Sequence, residues 1–151
     1  MPRRDRSWEK MIFLLSLVLA AVFTYAAISK FRDPLQFADS IAAFAILPTI
    51  SINLVAQSIP PFELGSGLLL LWAPTRRVGA LAVVVASAIF FIALSSALFR
   101  GLTLDCGCFG AGVPSRPRMW LELGLDAALA GASLLVYLRS IEGSVMGLSA
   151  L

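Results

Sequence analysis

The 151-residue chain is 59% hydrophobic and 14% charged, has a formal net charge of +3, and contains two cysteines and no histidine. Soluble domains average about 25% charged residues, so a chain of mean hydropathy +0.89 is not an ordinary soluble domain. Its basic residues flank apolar blocks and form no stripe, which argues against a nucleic-acid partner and for membrane anchoring.

Arg3, Arg4, Arg6 and Lys10 precede a first apolar run over about 11–29, long enough to cross a hydrocarbon core roughly 30 Å thick. A cleaved signal peptide is the rival reading. The run is longer than a usual h-region and the Thr24-Tyr25-Ala26 site is poor, so a retained span is expected. Charge at Lys30, Arg32 and Asp33 ends it. Asp33 is a good N-cap and Pro34 suits the first helical position. An amphipathic helix over about 34–47, with Gln36, Asp39 and Ser40 on its polar side, is expected to lie at the membrane interface until Pro48 stops it.

Ser51 can cap the second span, about 52–73, which contains Pro60 and Pro61 and should kink there. Gly65, Ser66 and Gly67 after the prolines permit close helix approach. A tight turn from Pro74 to Arg77 leads into the third span, 78–99. A polar loop over 100–118 precedes the fourth, 119–138. Trp8, Trp72 and Trp120 fall at the expected membrane boundaries. The expected fold is therefore all-α: a single membrane domain, 1–151, built as an integral membrane four-helix bundle with a short interfacial amphipathic helix between spans one and two.

With the amino terminus on the cytoplasmic side, the inner segments hold seven basic residues (Arg3, Arg4, Arg6, Lys10, Arg76, Arg77, Arg139) and the outer ones five (Lys30, Arg32, Arg100, Arg116, Arg118). The bias places both termini in the cytoplasm and the polar loop outside, in the compartment where disulfides persist.

That loop holds Cys106 and Cys108, one residue apart. Two sulfurs without histidine leave a zinc site half built; a copper(I) contact is the remaining metal reading, and no metal is expected. A disulfide across one residue closes a very small, strained ring that is easily reduced, and Gly107, Gly110 and Gly112 supply the backbone freedom to close it. Asp105 should oppose thiolate formation, whereas Arg100 or Arg116 folded over the loop would favour it. The pair is therefore a candidate redox couple, with a structural bridge as the alternative.

Glu63 in the second span and Glu122 and Asp126 in the fourth are acids in apolar surroundings. Glu122 and Asp126 are four apart and share a helix face. With Lys30 at the end of span one they are expected to form an intramembrane polar cluster, serving as a proton relay or pocket, or simply pairing helix with helix.

The motif Asp105-Cys106-Gly107-Cys108-Phe109-Gly110, together with Ser29-Lys30-Phe31-Arg32-Asp33-Pro34, Phe37, Leu47-Pro48, Pro61-Phe62-Glu63-Leu64-Gly65, Gly67 and Arg100-Gly101, resembles the MauE group of the DoxX-like membrane proteins. The resemblance runs from about Phe13 to Leu138. It implies a four-span bacterial inner-membrane protein that supports maturation of the disulfide-rich small subunit of periplasmic methylamine dehydrogenase, beside a thioredoxin-like partner. It transfers function only to Cys106 and Cys108, and members of the group also occur apart from methylamine metabolism.

The resulting expectation is an inner-membrane component of periplasmic disulfide formation, acting by reversible Cys106–Cys108 exchange. Its partners would be a thioredoxin-like protein, a disulfide-rich client and the lipid bilayer. The alternatives are a non-catalytic assembly factor whose cysteine loop is structural, and a small-solute or metal transporter. No cofactor motif is evident. A quinone enters only by analogy with quinone-linked disulfide oxidases, and no residue pattern marks a site for it.

Overall fold

The computed structural model of the chain describes residues 6–107 and 112–148. Five helices follow in order: α1 (Arg6–Arg32), α2 (Pro34–Ala43), α3 (Thr49–Leu71), α4 (Arg76–Phe99) and α5 (Arg116–Leu148). No strand occurs among the described residues. Four of the helices are long and apolar enough to cross a membrane. At about 1.5 Å per residue, even the 23 residues of α3 reach about 35 Å.

Burial runs in the sense expected of lipid as the outer solvent. Leu14, Val18, Leu54, Leu68, Ile89, Ile92 and Leu121 are exposed, while Ser16, Lys30, Glu63, Ser66, Ser87, Glu122, Asp126 and Ser133 are buried. A bundle in water would reverse that distribution. The fold is an all-α membrane bundle.

In the bundle α1 packs on α3, α3 on α4, α4 on α5 and α5 on α1, with α2 laid against α3. The core between the four long helices is formed by Leu19, Ala20, Phe23, Leu70, Ala80, Val83, Ala86 and Val136. Two glycines set how closely the helices approach. A Cβ on Gly67 would stand 3.2 Å from the Ala20 carbonyl of α1, and one on Gly79 would stand 2.8 Å from the Leu70 backbone nitrogen of α3. Gly65, by contrast, faces open space. The α3–α4 turn is closed by Thr75, whose hydroxyl donates to the Leu69 carbonyl at 2.9 Å, and by Arg76, whose Nε donates to Leu70 O at 3.2 Å.

Several element boundaries differ from the sequence expectation. The helix α2 starts as anticipated, Asp33 accepting from the Gln36 N–H at 3.0 Å ahead of Pro34. It ends at Ala43 rather than 47, because Ala45 adopts a left-handed φ of 50°, a C-terminal stop usually given to glycine. Arg100, arriving from the end of α4, donates to the Phe44 and Ala45 carbonyls there and satisfies acceptors that the helix end leaves open. Ser51 is not the cap of α3: Pro48 holds that position, and the Ser51 hydroxyl donates back to Pro48 O at 2.8 Å. α3 then passes through Pro60 and Pro61 as continuous helix, although neither proline can donate to the carbonyl four residues before it.

Four spans place the α1–α3 connection, with α2, at the same end of the bundle as the α4–α5 loop, and the α3–α4 turn at the other. The two elements richest in polar residues therefore meet.

Because the Gly79 position is filled by α3 backbone, Gly79→Ala is expected to lower the unfolding midpoint in detergent by several degrees. Gly65→Ala, in open space within a helix, should leave the midpoint unchanged or raise it. Thermal unfolding of the two purified variants checks the contrast.

Candidate functional site

The α4–α5 loop folds back into the end of the bundle instead of standing clear of it. Its return begins at Gly101, with φ of 74°, and the Leu102 N–H donates to Ala97 O at 3.0 Å. Leu104 and Cys106 then sink into an apolar cluster with Phe44, Leu94, Ala97 and Met119. Cys106 is only 1% exposed. Gly107 follows with φ of 66°, and a Cβ there would stand 3.1 Å from both Phe37 and Ser40 of α2. Both the left-handed backbone and the close approach to α2 require glycine.

Cys106 is disulfide-bonded. Cys108, the other cysteine of the chain, and Gly110 lie outside the described residues.

Around the Cys106 sulfur stand two carboxylates. One oxygen each of Asp105 and Glu122 lies, with Cys106 Sγ, in a set whose members are all within 4.8 Å of one another. Such spacing could suit a cation, but the sulfur is committed to the disulfide and leaves only carboxylates on offer. Arg118 ties the acids together. Its Nε donates to Glu122 Oε1 at 3.0 Å, one turn along α5, and its Nη2 stands 4.0 Å from Asp105 Oδ1. Asp105 also accepts from the N–H groups of Gly107 and Gly112. The Arg118 guanidinium fills the space a Gly112 side chain would need. The remaining oxygen of Glu122, Oε2, is buried without a hydrogen-bond partner.

The two arginines that would favour a thiolate if folded over the loop are held elsewhere. Arg100 is engaged with the end of α2, and Arg116 donates to Gly101 O at 3.4 Å. Arg118 is the cation at the site. The i, i+4 spacing from Arg118 to Glu122 is the one sequence signal that could have singled it out.

A second polar group lies deeper, between the spans. Lys30 of α1 reaches Glu63 of α3, its Nζ standing 3.0 and 2.9 Å from the two carboxylate oxygens. Both residues are at most 3% exposed. The same ammonium donates to Ala26 O at 3.4 Å and lies 5.2 Å from the Phe37 ring and 5.8 Å from the Phe90 ring, within cation–π range. Asp126 is within electrostatic reach of Lys30, Glu63 and Glu122. Its Oδ2 and the Ser87 hydroxyl are buried without hydrogen-bond partners, and both residues line, with Glu63, a cavity of about 20 Å³. That volume is enough for about one water.

The structure thus brings Lys30, Glu63 and Asp126 together, with Glu122 reaching Asp126 electrostatically while standing against the loop and Cys106. The two groups remain close. Lys30 and Gly107 line one small cavity beside Phe37 and Ser40, so the ion pair sits directly under the cysteine motif. On the other side a cavity of about 260 Å³ opens between α2, α3 and α4. Its wall is apolar apart from Glu63 and Cys106, and nothing in the sequence pointed to it.

Residues 8–139 match the family model described as methylamine utilisation protein MauE. The chain belongs to the MauE family. Among its relatives, methylamine utilization protein MauE of Paracoccus denitrificans is 30% identical over 127 residues, covering 83% of this chain and 68% of that protein. The protein of the same name from Methylophilus methylotrophus is 33% identical over 141 residues, 89% of this chain and 70% of its own length. No solved structure matches the chain. The match to the MauE model takes in the four spans, the cysteine loop and all the buried charges described above, so the site belongs to the family-matched part of the chain.

Removing one member of a buried ion pair leaves an uncompensated charge, at a cost of about 3–5 kcal/mol. Lys30→Met and Glu63→Met should each strongly destabilise the protein, and the double variant should recover most of the loss. Unfolding in detergent of the two single variants and the double variant measures the coupling. Additive losses would mean that the two side chains do not interact.

Proposed function

We propose that this chain is an inner-membrane component of thiol–disulfide exchange. It would support the maturation of a disulfide-containing exported client, within the methylamine utilisation that its relatives' names denote. The observation that carries the reading is the disulfide-bonded Cys106, held in a loop pinned by Gly107 on α2 and by Arg118 on α5, with two carboxylates at the sulfur. A purely structural bridge needs no acids beside it. Proton exchange at a thiol does.

Cys106 is too deeply buried for an incoming protein thiolate, so the attacked sulfur is assigned to Cys108. A thiolate of the client, or of a thioredoxin-like carrier, attacks Cys108; the Cys106–Cys108 bond breaks and Cys106 leaves as thiolate. A proton from Glu122 or from water neutralises it. The second thiolate of the partner then attacks the mixed disulfide, releases Cys108 and closes the partner's own disulfide. Two electrons have moved from partner to pair.

The positive-inside count supports a loop on the outer face, seven basic residues against five, with the termini cytoplasmic. A second reading, in which the bridge only shapes a docking surface for assembly, draws on the packing of Cys106 in an apolar cluster. Transport has less support: Glu63 of the buried ion pair meets a cavity whose wall is otherwise apolar apart from Cys106, which offers an ion no polar path.

After mild reduction of intact spheroplasts, a membrane-impermeant thiol reagent should label the loop. Labelling only after lysis would reverse the orientation. In glutathione buffers the pair should titrate above about −300 mV, the upper bound of structural bridges, because a one-residue spacing forces a strained ring. Offered a partner in its disulfide form, the reverse reaction, Cys106→Ser should accumulate a mixed disulfide at Cys108 that no second sulfur resolves, whereas Cys108→Ser, left with the buried Cys106, should accumulate none. If a double-serine variant supports its client fully, the assembly-factor reading stands instead.

A further inference from the structure

The cavity between α2, α3 and α4 gives the cysteine pair a second face. Its volume of about 260 Å³ is close to the lower end of small-molecule sites, about 300 Å³. Phe44 and Phe90 contribute aromatic rings to the wall, and Ile46, Phe62 and Ile89 stand at its mouth, where they are also exposed on the lipid-facing surface. A molecule entering there comes from the bilayer. Among the described residues that line the cavity, Glu63 is the one ionisable side chain apart from the sulfur of Cys106.

We infer that this cavity binds a lipid-soluble quinone, which reoxidises the cysteine pair. The inference rests on the exchange reading above, since a pair that oxidises a client is left as two thiols and needs an acceptor for two electrons. The pocket supplies that acceptor's requirements: apolar walls and two aromatic rings for a planar headgroup, an opening to lipid for an isoprenoid tail, and a sulfur in the wall. An acyl chain could occupy apolar walls, but it has no use for a redox sulfur or a carboxylate.

The step balances within the site. The S–H bonds of Cys106 and Cys108 break, the S–S bond forms, and the two electrons and two protons released convert the two carbonyl oxygens of the quinone to hydroxyls. Cys106 faces the ring, and Cys108 closes the bridge. Glu63, fixed by Lys30 in the wall, is the group that can relay a proton to the quinone oxygen nearest it. Attack by a partner at Cys108 and reoxidation across Cys106 would let one bridge couple two reactions that never share a solvent.

The test uses the full chain in nanodiscs, reduced, freed of reductant and kept anaerobic, with a short-chain ubiquinone as the probe. One quinol per protein should form, followed by its absorbance change, with matching loss of alkylatable thiols. Cys106→Ser should form none. Val55→Phe, which enlarges a lining residue of α3 outside the cluster that holds Cys106, should raise the KM for the quinone at least tenfold while thiol exchange with oxidised glutathione stays within twofold of wild type. Ile89→Trp at the exposed mouth gives the same test should Val55→Phe not fold. Absence of quinol from reduced wild type that exchanges normally with glutathione would overturn the quinone site and leave the exchange reading intact. Quinol formation indifferent to both cavity variants would equally overturn the site. A pair that exchanges with neither glutathione nor quinone would overturn both readings.

Discussion

The buried contact between Lys30 and Glu63 is the interaction on which the arrangement at this end of the bundle depends. A charged side chain at the centre of a bilayer costs about 2.5–3.5 kcal/mol even on insertion scales. Both of these residues are at most 3% exposed, and either one buried without the other would be an uncompensated charge. Together they bolt α1 to α3, and the consequences pass outward through contacts at each step. The ammonium stacks against Phe37, which fixes α2 over the end of the bundle; Phe37 in turn meets Gly107, which fixes the cysteine loop on α2. Buried charge, α2 and cysteine loop form one mechanical chain.

The cysteine loop is held from its other side by a different device. Arg118 bridges Asp105 of the loop and Glu122 of α5, and takes the volume that a side chain at Gly112 would need. Cys106 is consequently placed between an acidic polar edge and an apolar cavity. The first suits proton exchange at sulfur. The second admits only molecules soluble in lipid. A site with these two unlike faces is what coupling between an aqueous thiol reaction and a membrane carrier requires, and it arises because the loop folds inward over Leu104 and Met119 instead of projecting into water.

Much of the architecture was legible from composition and order. Apolar run lengths against bilayer thickness give four spans, and Asp33-Pro34 marks the start of α2. Where the reading of elements failed, the signal lay outside the segment concerned. Nothing local to Phe44 and Ala45 indicates that α2 stops there. The carbonyl left open there is met by an arginine 55 residues away in sequence, which donates to Ala45 O. Gly65 and Gly67 look alike in sequence, yet only Gly67 meets another helix. That Arg118 is the cation beside Asp105 and Glu122 is not legible from the sequence either, because distance along the chain does not report which cation faces the loop.

The sequence by itself determined that the chain is a four-span membrane bundle, that its cysteines are confined to positions 106 and 108, and that Lys30, Glu63, Glu122 and Asp126 are a base and three acids in apolar spans. Those properties follow from residue type and local order, through hydropathy, helix period and the cost of charge in lipid. Only the tertiary structure decided that Lys30 pairs with Glu63, that Glu122 belongs with Cys106, and that a cavity open to lipid ends on the same sulfur. Each of these joins residues from different helices, and which faces of two helices meet is settled by packing among all of them, in which Gly67, Gly79 and the inward fold of the loop decide the approach.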